Sequence, residues 1–147
     1  MKTIGKALGL LLAVLNVAAC GDLIETTDDG RLGGNWLLTT VDTLATGGVA
    51  DVHTDRKFMA VEGGILQLRD ADEGKQYIFR YSYVDDKLTL SDARVNDRER
   101  GDPLVTDSMV LVPFGFDSLQ PVLRVEAISR SRLTLVSDRL RLYYRKF

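Results

Sequence analysis

The feature that most constrains this fold is a hydrophobic pattern of period two that begins near Trp36 and continues to the end of the 147-residue chain. It is clearest in QYIFRYSYV, residues 76–84, where aromatic residues alternate with a mostly polar set. Successive side chains of a β-strand point to opposite faces, so this segment predicts a strand with one aromatic face. The alternating segments are short, turn residues separate them, and there is neither a long helical periodicity nor an internal repeat. The chain is therefore predicted to be all-β and antiparallel.

Further alternating segments lie on both sides of this strand. Upstream, KFMAV and ILQLR flank Glu62-Gly63-Gly64, which could form a tight hairpin or a glycine bulge within one bent strand. Downstream, KLTLSD, PVLRVEAIS, RLTLVS and RLRLYYRKF alternate again. Residues 92–103 are predicted to form an exposed charged loop, and residues 104–112 one irregular strand. Roughly seven to nine short strands in one small domain imply a sandwich or a closed barrel, and closure removes exposed strand edges.

The first twenty residues have the layout of a bacterial secretory signal. Lys2 and Lys6 precede an apolar run that is too short to span a bilayer, which needs roughly 20 residues. The run ends in VAACG, where an aliphatic residue, two alanines and the only cysteine, Cys20, stand in an order that resembles the bacterial lipobox. This resemblance implies that residues 1–19 are removed and that Cys20 carries a lipid that attaches the protein to a membrane. The alternative is a secreted protein that is cut near Ala19.

The segment that follows Cys20 predicts how the folded domain is attached. Residues 20–31 are short, acidic and without periodic structure, so they are predicted to be a flexible tether, and residues 32–147 are predicted to be the folded domain. Gly21, rather than an aspartate, follows the cysteine. By resemblance to the lipoproteins of Gram-negative cells this favours the outer membrane, and it leaves open whether the domain lies on the periplasmic or the surface face.

Composition excludes one class of partner and sets the source of stability. Of the 19 basic and 21 acidic residues, only Lys2 and Lys6 lie before Cys20, so the processed chain has a formal charge of −4. A mildly acidic chain lacks the clustered positive charge that nucleic-acid binding requires. With Cys20 committed to lipid, no disulfide can form within the domain. Its stability must therefore come from a hydrophobic core.

Residues that could perform catalysis or bind a metal are few. His53, the only histidine, lies in a predicted loop. Zinc sites and Cys/His or Ser/His/Asp arrangements therefore lack further ligands or have only this loop histidine to draw on. The acidic groups fall in turns and in the tether, where aspartate is common, and none has EF-hand spacing. The sequence therefore predicts no enzyme, no cofactor and no metal site. Two carboxylates from separate strands, as in glycoside hydrolysis, are the remaining enzymatic alternative.

The segment LGGNWLLTTVDT, residues 32–43, resembles the start of the first strand in lipocalins and other calycins, where a Gly-x-Trp motif precedes the strand. Gly34 and Trp36 match it; the glycine would let the chain cross under a barrel, and the tryptophan, which buries about 200 Å², would plug that end. The resemblance also implies that an arginine of the last strand lies across the tryptophan, and the candidates are Arg139, Arg141 and Arg145. The whole chain resembles the small lipocalin-like lipoproteins common in Bacteroidetes. This implies a single up-and-down antiparallel barrel of roughly eight strands.

The aromatic face of residues 76–84 is the main candidate for a binding site. A barrel of about eight strands is either filled by side chains or just wide enough to hold one small ligand. One hypothesis is therefore a small, largely apolar ligand in the barrel, with a wall formed by Trp36, Tyr77, Phe79, Tyr81 and Tyr83. The other hypothesis is a filled barrel whose outer surface or loops dock onto a protein partner in the cell envelope.

Overall fold

The computed structural model describes residues 30–147. The predicted signal peptide, Cys20 and most of the predicted tether lie outside the described residues. Nine strands are present in the described part: β1 (Gly34–Thr43), β2 (Gly48–Asp51), β3 (Lys57–Glu62), β4 (Ile65–Asp70), β5 (Gln76–Val84), β6 (Lys87–Val95), β7 (Val122–Ile128), β8 (Arg132–Val136) and β9 (Leu140–Lys146). Four short 3₁₀-helices connect them, at Gly30–Leu32, His53–Asp55, Arg98–Arg100 and Ser108–Phe114.

The strands form one closed antiparallel barrel. From β3 to β9 each strand pairs with the next. The whole of β9 then pairs with β1, from Trp36 to Thr43 of β1, and closes the barrel. The first half of β1 pairs with β3, and its second half pairs with β2. Eight strands thus close the barrel and β2 is an additional strand beside β1. The predicted all-β fold and the predicted up-and-down barrel are both confirmed.

The two ends of the barrel differ in what covers them. We call the end at which β1 begins the Trp36 end; it carries the tight turns β3–β4 and β5–β6. The first of these turns contains Gly63 and Gly64, both with positive φ, so Glu62-Gly63-Gly64 forms the tight hairpin and not the bulge. The opposite end carries the turns β1–β2, β4–β5 and β8–β9 and the long connection from β6 to β7, residues 96–121.

The β6–β7 connection corrects two predictions. The predicted loop begins later than residue 92, because β6 continues to Val95. The predicted strand at residues 104–112 is wrong: a single bridge joins Leu104 to Arg94, and Ser108–Phe114 is a 3₁₀-helix. Asp107 starts this helix by accepting a 2.9 Å hydrogen bond from the Met109 backbone N–H. The unbroken apolar run of this segment does not distinguish a strand from a buried helical turn, and this ambiguity led to the wrong prediction.

The core lies on the barrel axis and is formed by the inward-facing residues of every strand from β3 to β9 and of β1. Aliphatic side chains from β4, β6, β7, β8 and β9 are buried against the aromatic side chains of β1 and β5. The β6–β7 connection contributes four further core residues, which are Val105, Leu111, Phe114 and Phe116. The core is therefore composed of both the barrel wall and a loop that enters it.

One buried ion pair connects β3 with the β4–β5 turn. Asp70 is 5% exposed, its Oδ2 lies 3.0 Å from Lys57 Nζ, and its Oδ1 accepts 3.0 Å hydrogen bonds from the backbone N–H groups of Asp72 and Glu73. Burial by itself would raise the pKa of Asp70. The hydrogen bonds and the charge of Lys57 together outweigh burial and hold this pKa below its ordinary value of 3.8. The folded state thus stabilises the carboxylate form.

Asp70→Asn should destabilise the protein by about 2 kcal/mol, because it leaves the Lys57 ammonium beside a neutral amide. A carboxyl group whose pKa falls on folding contributes stability above its unfolded pKa, and that contribution is lost as the pH falls through the folded pKa. The difference in free energy of unfolding between wild type and variant, measured by urea denaturation, should therefore be constant near neutral pH and shrink below about pH 4. Asp138→Asn, at an exposed turn position without an ion pair among the described residues, is the control and should show no such change. A full difference for Asp70→Asn in strong acid would contradict this account.

Candidate functional site

The tryptophan of the Gly-x-Trp motif closes the Trp36 end from inside. Trp36 is completely buried, and its indole Nε1–H donates a 2.9 Å hydrogen bond to the carbonyl of Leu32. Leu32 belongs to the 3₁₀-helix that precedes β1 and is itself completely buried. The predicted plug at this end is therefore present in the structure, and the hydrogen bond fixes the chain that crosses beneath it.

The cation that lies across Trp36 is Lys146 and not an arginine. Its Nζ lies 4.4 Å from the centroid of the indole ring and also donates to the carbonyl of Gly33. Gly34 leaves room for this side chain, because a Cβ at this position would lie 2.5 Å from Lys146 Nζ. Gly34 thus has a closing role, but it makes space for the lysine in addition to letting the chain pass.

The predicted closing arginines lie elsewhere for a simple geometric reason. Side chains of β9 alternate, so Leu142, Tyr144 and Lys146 point inwards, whereas Arg141 and Arg145 point outwards. Arg141 forms a hydrogen-bonded pair with Glu126 at 2.7 Å, and Arg139, in the β8–β9 turn, lies 3.7 Å from Asp117. The prediction that Arg139, Arg141 or Arg145 covers Trp36 is therefore wrong. The alternation of β9 determines which cation faces the barrel interior, and among the cations of this strand it is Lys146.

The aromatic residues of β5 face the interior as predicted, but they do not border a ligand-sized space in the described structure. Tyr77 and Phe79 are buried within the core, and Tyr81 and Tyr83 are partly buried against it. Burial and the neighbouring Asp86, to which the Tyr83 hydroxyl donates a 3.3 Å hydrogen bond, raise the pKa of Tyr83. The Tyr83 phenol therefore stays neutral at physiological pH.

The residues that fill the barrel from the opposite end were missed by sequence reasoning. We call residues 104–116 the plug segment, because Leu111, Phe114 and Phe116 of this segment are buried in the core. The Phe114 ring meets the edge of Tyr77 with 5.9 Å between centroids. The crevice that remains beside Phe114 is too narrow to hold a water molecule, and its other walls are Leu38, Lys57, Phe58, Met59, Leu68 and Tyr144.

Two details show how tightly the plug segment fits. Gly115 ends the 3₁₀-helix with φ of 88°, and a Cβ there would lie 2.6 Å from a methyl group of Leu142. Tyr144 borders the same crevice as Phe114, and burial raises the pKa of its hydroxyl. A signal for this arrangement was present in the sequence, since the aromatic pair in VPFGF follows the apolar run MVLV in a connection that begins with charged residues. Large apolar residues in a long loop often belong to the core.

Outside the barrel there are two adjoining open depressions, with volumes of about 260 and 360 Å³. They share four residues of β7 and of the β8–β9 turn, which are Val122, Leu123, Ser137 and Asp138. Neither depression is lined by Trp36 or by the aromatic residues of β5. These two depressions therefore do not involve the candidate ligand-binding residues, of which only Phe79 borders an open depression in the described structure, one of about 160 Å³.

The few residues suited to catalysis are also placed apart from the interior. His53 lies in the exposed 3₁₀-helix between β2 and β3, where its Nδ1 contacts Asp51. This hydrogen bond lowers the pKa of Asp51. Within residues 30–147 no group of three or more His, Cys, Asp or Glu side chains is arranged to hold a metal ion. No helix in the same part of the chain is long and apolar enough to cross a membrane.

These features define a class: a small, closed, antiparallel β-barrel of the lipocalin type, with a tryptophan at one end and side chains along its axis. A family model described as a lipocalin-like domain matches residues 13–147, and the chain belongs to this family. No curated protein matches it. The predicted membership of the lipocalin-like family is therefore confirmed.

Solved structures with the same fold come from Bacteroides. A lipocalin-like protein from Bacteroides uniformis is 23% identical with a TM-score of 0.62, and the match covers 80% of this chain and all of that one. An uncharacterized protein from Bacteroides eggerthii is 18% identical with a TM-score of 0.60, and the match covers 78% of this chain and 98% of that one. At these identities the likeness concerns the fold.

Proposed function

We propose that this protein is a non-catalytic interaction module, anchored by lipid at Cys20 to the outer membrane, whose filled barrel docks onto another component of the cell envelope. The observation that carries this proposal is the packing of the interior from both ends, by Trp36 at one end and by the plug segment at the other. In a barrel filled in this way, the outer surface and the loops are the parts that can recognise another molecule.

The free-energy cost of opening the core favours recognition at the outer surface over ligand binding in the interior. A ligand inside the barrel would have to displace Leu111, Phe114 and Phe116, and exposing each of these costs about 1.5–3 kcal/mol. The three together cost about 5–9 kcal/mol, and every 1.4 kcal/mol weakens binding tenfold. A ligand of nanomolar intrinsic affinity would therefore bind only at micromolar concentrations or above.

Two features support the membrane anchor and its position. The lipobox-like VAACG places Cys20 ten residues before Gly30, where the described chain begins. Gly30 precedes β1 at the Trp36 end, so the segment that would carry the lipid enters the described domain at that end. Two or more acyl chains hold a protein stably on a bilayer, whereas one chain gives reversible attachment.

The second candidate function is binding of a small, largely apolar ligand in the barrel after the plug segment moves out. A specific observation favours it: between the bonds Val105 N–H to Ala93 O and Leu90 N–H to Pro121 O, the backbone of the connection makes no hydrogen bond to a strand among the described residues. Side chains alone hold the middle of the plug segment in place. Such a segment can leave without breaking the barrel ladder.

Mass spectrometry of the intact protein, purified from the cell envelope, tests both parts of the proposal. Under denaturing conditions we expect the mass of a chain that begins at Cys20 plus acyl chains, and we expect Cys20→Ser to carry none. Under native conditions we expect the same mass, because the filled barrel holds no ligand. A native mass that exceeds the denatured mass by that of a small molecule would favour the second candidate. An unmodified wild-type chain would refute the anchor.

A further inference from the structure

The strand registers place a row of arginines and apolar residues across the outside of the barrel. Each residue of the row is paired directly with the next: Arg132 on β8, Arg145 on β9, Leu37 on β1, Phe58 on β3 and Arg69 on β4. All five alternate with core residues along their strands and therefore point outwards. We call these five residues the arginine row. The adjacent outward row towards the Trp36 end also lacks acidic residues, since it consists of Phe147, Asn35, Ala60, Gln67 and Ile78.

The arginines of this row differ from the other arginines on the strands. Each of the others has a carboxylate partner: Arg80 and Arg94 contact Asp92, and Arg124 and Arg141 contact Glu126. Arg132 and Arg145 have no such partner among residues 30–147, and the contact described for Arg69 is with the ring of Phe58, at 4.9 Å. Among the arginines on the described strands, those without a carboxylate partner thus lie in one row, on a protein whose processed chain is acidic.

The pair at the end of the row is unfavourable by itself. Arg132 on β8 lies directly opposite Arg145 on β9, both side chains are exposed, and like charges directly opposite each other destabilise a sheet. An anion held between the two guanidinium groups would remove this repulsion. Guanidinium groups bind phosphate through paired, charge-assisted hydrogen bonds.

Beside the row, the exposed apolar residue is Phe147, which packs on the covered apolar part of the row. Leu37 and Phe58 point out of the barrel, yet they are buried, and Phe147 and the Arg69 side chain pack on Phe58. The Phe147 ring meets the Phe58 ring with 5.0 Å between centroids and is itself 71% exposed. An exposed aromatic ring beside arginines is typical of a surface that lies at the boundary of lipid headgroups and acyl chains.

The attachment of the chain brings this face close to the anchor. Gly30, Gly33 and Gly34 border one depression on this side of the barrel. The same depression is bordered by Asn35, which belongs to the adjacent row, and by Lys146, which lies between Arg145 and Phe147 in the sequence. Gly30 lies ten positions after Cys20, and ten residues span at most about 36 Å. A lipid at Cys20 therefore keeps this side of the barrel within reach of the membrane surface.

We propose that Arg132 and Arg145, the β8–β9 part of the arginine row, together with Phe147, dock the barrel onto the phosphate groups of anionic phospholipids in the membrane to which the protein is attached. The proposal rests on the anchor at Cys20 proposed above. The lipid anchor confines the protein to the surface, and the row then selects which face of the barrel lies on it. The opposite end of the barrel, with the β1–β2, β4–β5 and β8–β9 turns, remains available to a partner.

A photoactivatable benzoylphenylalanine at position 147 tests this orientation in the full-length protein, both in cells and after purification and reconstitution into vesicles. Position 49 is the matched control, because Val49 is 72% exposed but lies on β2, near the other end of the barrel. We expect phospholipid adducts at position 147 and not at position 49, with a higher yield in vesicles of phosphatidylcholine and phosphatidylglycerol than in phosphatidylcholine alone. Equal lipid adducts at both positions, or a protein adduct at position 147 in cells, would overturn the proposal.

Charge variants separate phosphate recognition from simple proximity. Arg132→Gln combined with Arg145→Gln should lower the adduct yield at position 147 at least about fivefold, the effect of removing one arginine from an anionic surface. Arg124→Gln combined with Arg141→Gln removes the same charge from the paired arginines and should leave the yield unchanged. Equal losses in both double variants would refute the row as the docking element. Because the mass of the protein reports acylation separately, loss of adducts from an acylated protein counts against the docking and not against the anchor.

Discussion

Replacing Phe114 and Phe116 with alanine should convert the filled barrel into one that binds small aromatic molecules. Truncating a buried phenylalanine costs about 3–5 kcal/mol, partly because the surroundings collapse only in part and leave a cavity. Both rings lie in the core, and the cavity they would leave is bordered by apolar residues. An apolar cavity of this kind stays dry and accepts small apolar molecules.

Thermal unfolding measured with and without benzene or indole checks this prediction. The double variant should unfold at a much lower temperature than wild type and should gain about 2.7 kcal/mol at a hundredfold excess of ligand over Kd. Two such losses approach the total stability of a domain, 5–15 kcal/mol, so Phe114→Ala alone is the fallback that keeps the test decisive. Met109→Ala and Val112→Ala, at exposed positions of the same segment, are the controls and should change stability by less than about 0.5 kcal/mol. A wild-type protein that is stabilised as much as the variant would show that its interior is already accessible.

Trp36→Ala should be the most destabilising single substitution at the Trp36 end, with a loss of about 3–5 kcal/mol. The substitution removes the largest fully buried side chain, leaves the Leu32 carbonyl without its indole donor, and takes the ring away from Lys146. The free energy of unfolding from urea denaturation measures the loss. The end of the barrel should also become more open, which amide exchange of β1 and β9 would detect.

Two further variants divide this loss into its parts. Trp36→Phe keeps most of the apolar volume and removes the hydrogen bond, so it should cost about 1–3 kcal/mol beyond the volume change. Lys146→Met keeps the packing and removes the cation, and it should cost about 0.5–2 kcal/mol. If Trp36→Ala cost no more than Lys146→Met, the tryptophan would not be the closing residue of the barrel.

The strands were predictable because their pattern is local. Alternation of apolar and polar residues depends only on neighbouring positions, and QYIFRYSYV forms β5 with the predicted bounds and the predicted aromatic face. At Gly63 and Gly64 the sequence left a tight hairpin and a glycine bulge open, and the structure shows the hairpin, with positive φ at both glycines. Where the apolar residues are consecutive, as in residues 109–112, the pattern has no period to read, and the predicted strand was wrong.

The closing cation was predicted by analogy, and only the register could correct it. The resemblance to lipocalins implied an arginine over Trp36, but the side chain that faces inwards next to this residue belongs to Lys146, which pairs with it across β1 and β9. A shift of one residue along a strand exchanges its two faces. The identity of the cation therefore depends on a pairing between residues more than a hundred positions apart.

The sequence by itself determined the class of fold, the faces of most strands and the family, because these follow from short-range periodicity and from a motif at the start of the first strand. Only the tertiary structure decided whether the barrel is hollow, since the answer lies in a connection that enters the core from outside the strand pattern. It also decided that the arginines of β4, β8 and β9 form one row. The filling of the barrel and the arginine row both arise from contacts between segments that are distant in the sequence. A local sequence pattern does not predict which distant segments come into contact.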